Sequence, residues 1–272
     1  MKKLIRPISR AVRNVFRTIR DLLSSKTRFV RINPFAKGKI VFFDKKNAKF
    51  FSLFSRGEGD SSVLDTIFPK YAYSLEGMLR SDDIYVHYNS ILDLKKCPLI
   101  IDCGANIGAS SYFLALEFPE ALVVGVELES NNAKLAKKNN SSKDNVHILH
   151  AAIGSERGAV QIENPKETNK DSFRVKADFK PGKDSVEMIT ISCIEERYPE
   201  AIPFIVKIDI EGFEDDLFSK NTEWIKDFYL ITLEIHDWMQ PRKAVSKNFF
   251  HKHSKENHDC YLKGDMVFSI KN

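Results

Sequence analysis

From Leu99 onward, short apolar runs alternate with polar or helix-patterned stretches, and this alternation restricts the fold more than any other feature of the chain. The runs are "LIID" (99–102), "LVVGVE" (122–127), "VHILHAAI" (146–153), "AVQI" (159–162), "MITIS" (188–192), "FIVKID" (204–209) and "YLITLEI" (229–235). Helical patterning follows 107 and 130 and covers 213–227. Strands that are apolar throughout need cover on both faces, so the pattern predicts an α/β domain built on a doubly wound, mostly parallel sheet. "CYLKG" and "MVFSI" predict a terminal antiparallel hairpin around Gly264 and Asp265. Residues 163–187, rich in Asn, Lys, Asp, Pro and Gly, predict a long loop, and loops of that length in a compact domain commonly serve function.

The 272 residues, 43% of them hydrophobic, suffice for one large domain with appendages. The reading divides the chain into 1–31, a basic amphipathic helix; 32–98, a cap or substrate region; and 99–272, the sheet domain. In 32–98, "GKIVFFD" predicts a strand, "SVLDTIFPKYAYSL" a helix stopping near Pro69, and "DDIYVHY" a strand by its alternation. Ten of the 42 Lys/Arg residues but only one acid, Asp21, fall in 1–31, so the body of the chain is mildly acidic. Leu4, Ile8, Val12, Val15, Phe16, Ile19, Leu22 and Leu23 recur at helical spacing among five arginines. Three readings of residues 4–23 stand: a helix docked on its own domain, a peripheral contact with an anionic membrane, or an arginine-rich transit peptide. No apolar run approaches the roughly 18 residues of a membrane span. Cys97, Cys103, Cys193 and Cys260 form no C-x-x-C pair and read as reduced thiols. The expectation is a cytoplasmic protein, with peripheral placement at the inner face of the membrane under the second reading of residues 4–23.

"LIIDCGANIGASSYF" (99–113) carries the first functional signal. A strand ends in Asp102; Gly104 and Gly108 flank Asn106; small residues open a helix. In an open parallel sheet, ligands bind outside the carboxyl ends of the strands, where glycines admit a close backbone approach. The dinucleotide fingerprint G-x-G-x-x-G fits badly, because Asn106 and Ala109 occupy its second and third glycine places. The next strand ends in Glu127, suited to accept from both hydroxyls of a ribose. A ribose acceptor plus the extra carboxylate of Asp102 suits a nucleoside with an ammonium-bearing tail, and S-adenosylmethionine is such a molecule.

"IDCGANIGASS", "VVGVELESNNAKLAKKN", "HAAIGSERGAV", "VKIDIEGFEDDLF" and "LITLEIHD" together resemble the FkbM family of S-adenosylmethionine-dependent methyltransferases, over roughly residues 60–270. The resemblance implies a class I methyltransferase fold, Rossmann-like, with seven strands of which the last is antiparallel. It implies O-methylation of sugar or polyketide hydroxyls. Leu128 stands where the family commonly has proline. The cofactor set is then Asp102, Gly104, Asn106, Gly108 and Glu127, with Ala152 added from "HAAIGSERGAV".

A second constellation lies at two strand ends. Lys207, Asp209 and Glu211 of "KIDIEG" share a face by the two-residue period, as do Glu234 and His236 of "LEIHDW". The resemblance implies that these strands are neighbours. Asp209, Glu211, Glu234 and His236 are the candidates for taking a proton from the acceptor hydroxyl, and burial with like-charge crowding should raise the carboxylates. Asp209 is also a candidate partner for the cofactor's ammonium. No dedicated metal-ligand set is read; a divalent cation such as Mg²⁺ held by these carboxylates is an alternative way to polarise the hydroxyl. "HKHSKENHD" (His251, His253, His258) reads as a solvated loop. The expected partner is a small-molecule or glycan acceptor, not nucleic acid. Two rival readings remain: a nicotinamide-dependent oxidoreductase, and a non-catalytic binding module tethered by the N-terminal helix.

Overall fold

A computed structural model of the chain describes residues 2–25, 27–70, 72–162, 175–178 and 185–272. The chain divides into two compact units, Met1–Glu76 and Gly77–Asn272. The sequence reading sets its own divisions at 31/32 and 98/99. The basic helix belongs with the small sheet that follows it, and the segment just before Leu99 belongs with the large sheet.

The first unit contains helix α1 (Lys2–Leu23), strands β1 (Phe29–Arg31), β2 (Lys39–Asp44) and β3 (Lys49–Phe54), and helix α2 (Glu58–Ile67). The strands form an antiparallel sheet in the order β1-β2-β3. In β2, alternation turns Ile40, Phe42 and Asp44 inward. Phe29, Phe42, Phe51 and Phe68 pack ring to ring, with centroids 5.0–5.9 Å apart. Asp44 is the one charge in that buried set; Arg28 meets it with two hydrogen bonds of 3.0 Å, the bidentate geometry a buried carboxylate requires.

The second unit begins with helix α3 (Ser81–Asp93) and continues through β4 (Cys97–Cys103), α4 (Ala109–Glu117), β5 (Leu122–Glu127), α5 (Ser130–Asn139), β6 (Val146–His150), β7 (Ala152–Ile153), β8 (Gly158–Ile162), β9 (Val175–Asp178) and β10 (Ser185–Ile189). It closes with α6 (Ile191–Arg197), β11 (Ala201–Ile208), α7 (Glu214–Leu217), a 3₁₀ turn (Glu223–Lys226), β12 (Leu230–Glu234), α8 (Lys247–His253), β13 (His258–Lys263) and β14 (Met266–Lys271). The main sheet has seven strands in the order β13-β14-β12-β11-β4-β5-β6. Strands β12 to β6 are parallel; β14 runs antiparallel to β12 and to β13. This is the class I methyltransferase arrangement, with the terminal hairpin as expected. A four-stranded sheet, β7-β10-β8-β9, lies beside it.

Successive connections leave β4 and β11 in opposite directions along the sheet, so the crevice of a doubly wound fold opens where the carboxyl ends of β4 and β11 meet. Both strands are almost wholly buried there, and Cys103 stands opposite Ile208.

Several segments depart from the sequence expectation. "DDIYVHY" is helical, in α3. "VHILHAAI" is two strands in different sheets, broken at Ala151. "MITIS" stops at Ile189, because the Thr190 hydroxyl accepts from the Cys193 amide and starts α6. The long loop expected at 163–187 is interrupted by β9 and β10; residues 163–174 and 179–184 lie outside the described residues. "HKHSKENHD" is the end of α8 and the start of β13, and His253 and His258 both bond the buried Ser269 hydroxyl, at 2.9 and 3.0 Å.

Candidate active site

Asp102 is the penultimate residue of β4 and has no exposed surface. Its Oδ2 accepts from the Ser110 and Ser111 hydroxyls, each at 2.6 Å, and its Oδ1 faces the Lys207 ammonium at 3.0 Å. Asp102 therefore secures the turn from beneath. Expected to face the ammonium of a ligand, it meets a lysine of its own chain instead, because a carboxylate so deeply buried needs a fixed cation.

The two glycines are required, for a reason other than the one expected. Gly104 (φ +82°) lies against the end of β11, where a Cβ would stand 1.8 Å from the Asp209 carbonyl oxygen. At Gly108 (φ +78°), a Cβ would stand 2.4 Å from Asn140 Nδ2 and 2.8 Å from Ala136 Cα. Both glycines admit neighbouring segments of the chain. Gly104 and Ala105 donate their amides to the Val126 carbonyl, stitching the turn to β5. Asn106 adopts a left-handed conformation (φ +49°), and its amide donates to Glu127 Oε2 at 2.8 Å.

Glu127 is buried at the end of β5, and its Oε1 accepts from the Glu129 amide at 2.8 Å. Burial pushes its pKa up, and the two amide bonds oppose that. Each carboxylate oxygen has two lone pairs. Oε1 also takes a long bond from Asn132 Nδ2 at 3.5 Å, whereas Oε2, with one amide bond, keeps acceptor capacity that fits a ribose hydroxyl. Ala152 starts β7, buried with Val160 and Met188 against Leu128, and the preceding Ala151 amide donates to the Glu127 carbonyl at 3.1 Å.

The second constellation is assembled as expected. β11 and β12 are adjacent and parallel, with Ile208 opposite Leu233. Asp209 follows β11, Glu234 ends β12, and His236 follows it. His236 is 3% exposed, and its Nε2 lies 3.6 Å from both Asp209 Oδ1 and Glu234 Oε1. Its Nδ1 is 2.8 Å from Glu214 Oε1. Burial alone would lower the imidazole pKa, but the Glu214 bond, the Glu234 carboxylate and the Asp209 charge overcome it and raise it to about 10. At neutral pH His236 is thus an imidazolium. The carboxylates around it stabilise the charged form, which favours His236 as a positioning cation over its expected role as the base.

The carboxylates keep that candidacy. Burial pushes Asp209 up; Lys207 opposes this, and the Glu234 charge adds to it. Burial, then the Asp209 charge, raises Glu211, which sits at the strand's end in a left-handed conformation (φ +51°). Asp209, Glu234 and His236 each bring one ligand atom within 4.8 Å of the others, a spacing able to hold a cation.

Two participants were given no role by the sequence reading: Lys207, named only as sharing a face with Asp209 and Glu211, and Glu214. Lys207 bonds the Gly104 carbonyl at 2.9 Å while pairing with Asp102 and standing 3.5 Å from Asp209 Oδ2. Its signal was present: a lysine inside an apolar strand must have a buried anion. Glu214 had no such signal, being one acid among four in "EGFEDD".

Comparison with solved structures finds similarity to the O-methyltransferase TomG from Streptomyces achromogenes in complex with S-adenosylmethionine (11% identity, 78% of this chain and 89% of that chain, TM-score 0.39). A methyltransferase from Geobacter sulfurreducens gives 10% identity over 79% of this chain and 91% of that chain, with a TM-score of 0.36. At these scores the fold rests on the strand order above. No curated protein sequence matches the chain. The family model of the methyltransferase FkbM domain matches residues 102–259. That match covers more than half of the chain and runs through both strand-end constellations: the protein belongs to the FkbM methyltransferases and is an enzyme dependent on S-adenosylmethionine.

Proposed function

We propose that the enzyme methylates a hydroxyl of a sugar, a glycan or glycolipid, or a polyketide-like small molecule, and that Asp209 receives the hydroxyl proton. The observation behind this is the carboxylate edge beside the Gly104 turn, where Asp209 is raised by burial and held between two cations, Lys207 and His236. Bound S-adenosylmethionine supplies an electrophilic methyl group. Glu127 would hold its ribose, and the carboxylates at the end of β11 would face its ammonium. Asp209 and Glu234 would orient the acceptor oxygen, and Asp209 would take the proton as the new bond forms. His236 is a positioning residue, bridging Glu214 to the two carboxylates.

The acceptor is found by mass spectrometry of glycans and lipids from cells with and without the gene. The expected result is a species lighter by one CH₂ in the deleted strain. Gain or loss of a redox change instead, with NADH bound by the purified protein, would overturn the reading.

A second reading has its own observation, the three ligand atoms of Asp209, Glu234 and His236. A divalent cation there would displace the Nε2 proton while Glu214 kept the Nδ1–H, the usual carboxylate–histidine support of a metal ligand. Under this reading EDTA abolishes turnover and Mg²⁺ restores it. Turnover indifferent to chelation removes it.

A further inference from the structure

Helix α1 is docked the wrong way round for a helix covering a core. Its described side chains begin at Arg13. The residues turned toward its own unit are polar. Thr18 Oγ1 donates to the Arg31 carbonyl at 3.1 Å, Arg17 pairs with Asp65 at 3.7 Å, and Asp21 is only 6% exposed. Lys45 ties down the end of the helix, donating to the carbonyls of Asp21 and Ser24. The apolar residues point the other way: Val15 is 42% exposed, Phe16 67%, Ile19 48%, Leu22 42% and Leu23 83%.

At 3.6 residues per turn these five side chains fill an arc of about 120°, the width of an apolar stripe that ordinarily faces a core. The sequence continues the spacing at Leu4, Ile8 and Val12. A continuous uncovered stripe of this kind marks an interaction surface. The charges identify its partner. Residues 1–31 contain one acid, Asp21, and it is buried, so the outward side offers apolar groups beside exposed Arg13 and the largely exposed Arg20, which also donates to Asp21 at 2.7 and 3.0 Å. Apolar side chains entering the acyl boundary and arginines meeting anionic headgroups are the two halves of an interfacial helix.

We infer that α1 lies in the plane of an anionic membrane surface, apolar stripe inward, and carries the enzyme there as a peripheral protein. The inference goes beyond the methyltransferase reading and does not depend on it.

The test uses the full chain in sedimentation with vesicles of phosphatidylcholine alone and of phosphatidylcholine with phosphatidylserine. The expected result is binding to the anionic vesicles, weakened by salt as charges are screened. Phe16→Asp with Leu23→Asp should weaken that binding by about a hundredfold, since two buried apolar side chains are lost. The same variant should keep its melting temperature and its affinity for S-adenosylhomocysteine, because both side chains face away from the fold. Arg13→Gln with Arg20→Gln should erase the preference for anionic over neutral vesicles. Absence of vesicle binding, or binding indifferent to the Phe16/Leu23 variant, overturns the inference. So does light scattering that shows a dimer which the variant dissolves, since the stripe would then cover a second copy of the chain.

Discussion

Lys207 meets three obligations at once: the Asp102 carboxylate, the Gly104 carbonyl and the neighbourhood of Asp209. Lys207→Met would leave Asp102 charged, buried and unpaired, and should destabilise the protein by about 3–5 kcal/mol in chemical unfolding. Adding Asp102→Asn should recover part of that loss; a double variant as unstable as the sum would show that the two residues are uncoupled. Gly104→Ala combines a left-handed backbone with a 1.8 Å collision and should abolish S-adenosylhomocysteine binding or folding. Gly264→Ala, with φ +65° and nothing within 4 Å, should cost about 1–2 kcal/mol, the strain of the conformation alone. At the strand-end carboxylates, Asp209→Asn should lower kcat by about 100- to 10,000-fold if Asp209 is the base, the range of a general base. His236→Gln should lower it by about a hundredfold through misplacement of the carboxylates. Glu127→Ala should leave kcat near normal and weaken S-adenosylhomocysteine binding by about 1–3 kcal/mol; isothermal calorimetry separates it from the other two.

At the scale of elements, what was legible depended on whether one periodicity or two fitted the residues. The strands β4, β5, β11 and β12 are mostly apolar and bounded by turn residues, and the sequence reading finds them within a few residues. The segment "DDIYVHY" satisfies both periods. Ile84, Val86 and Tyr88 alternate like a strand, yet Ile84, Tyr88 and Ile91 lie on one helical face; those three are buried, and Val86 is 68% exposed. Tertiary packing decided between them. Arg80 helps to hold the helix, reaching Asp83 within it and Asp259, Tyr229 and the Lys271 carbonyl on the C-terminal strands. Of the site, the strand-end carboxylates were legible as types and positions. That His236 is a cation was not, because the acid that fixes it, Glu214, is distant in the alternation and meets it only in the fold. That Asp102 faces a lysine was legible in principle from the apolar strand around Lys207.

For the whole molecule, histidines shape stability from both sides of neutrality. Burial lowers His253 and His258 from the usual 6.5. A depressed histidine contributes its full stability above that usual value and loses it as pH falls through its folded value. His236 does the reverse. Its folded value of about 10 lies above the usual 6.5, so its contribution is complete below about pH 6.5 and is lost as pH rises through about 10. Unfolding followed across pH should therefore show an acid limb reduced by His253→Asn with His258→Asn, and an alkaline limb reduced by His236→Gln. Limbs untouched by these variants would assign the pH dependence to other groups. The knot around Lys207 has a further consequence, for altering what the enzyme accepts. One ammonium ties the Gly104 turn to the end of β11, the two places to which the proposed function assigns the donor and the acceptor's proton. Rounds of directed evolution toward a new acceptor will therefore find almost no tolerated changes at 102, 104, 207 and 209, and libraries are better spent on positions that no shared cation fastens to the donor side.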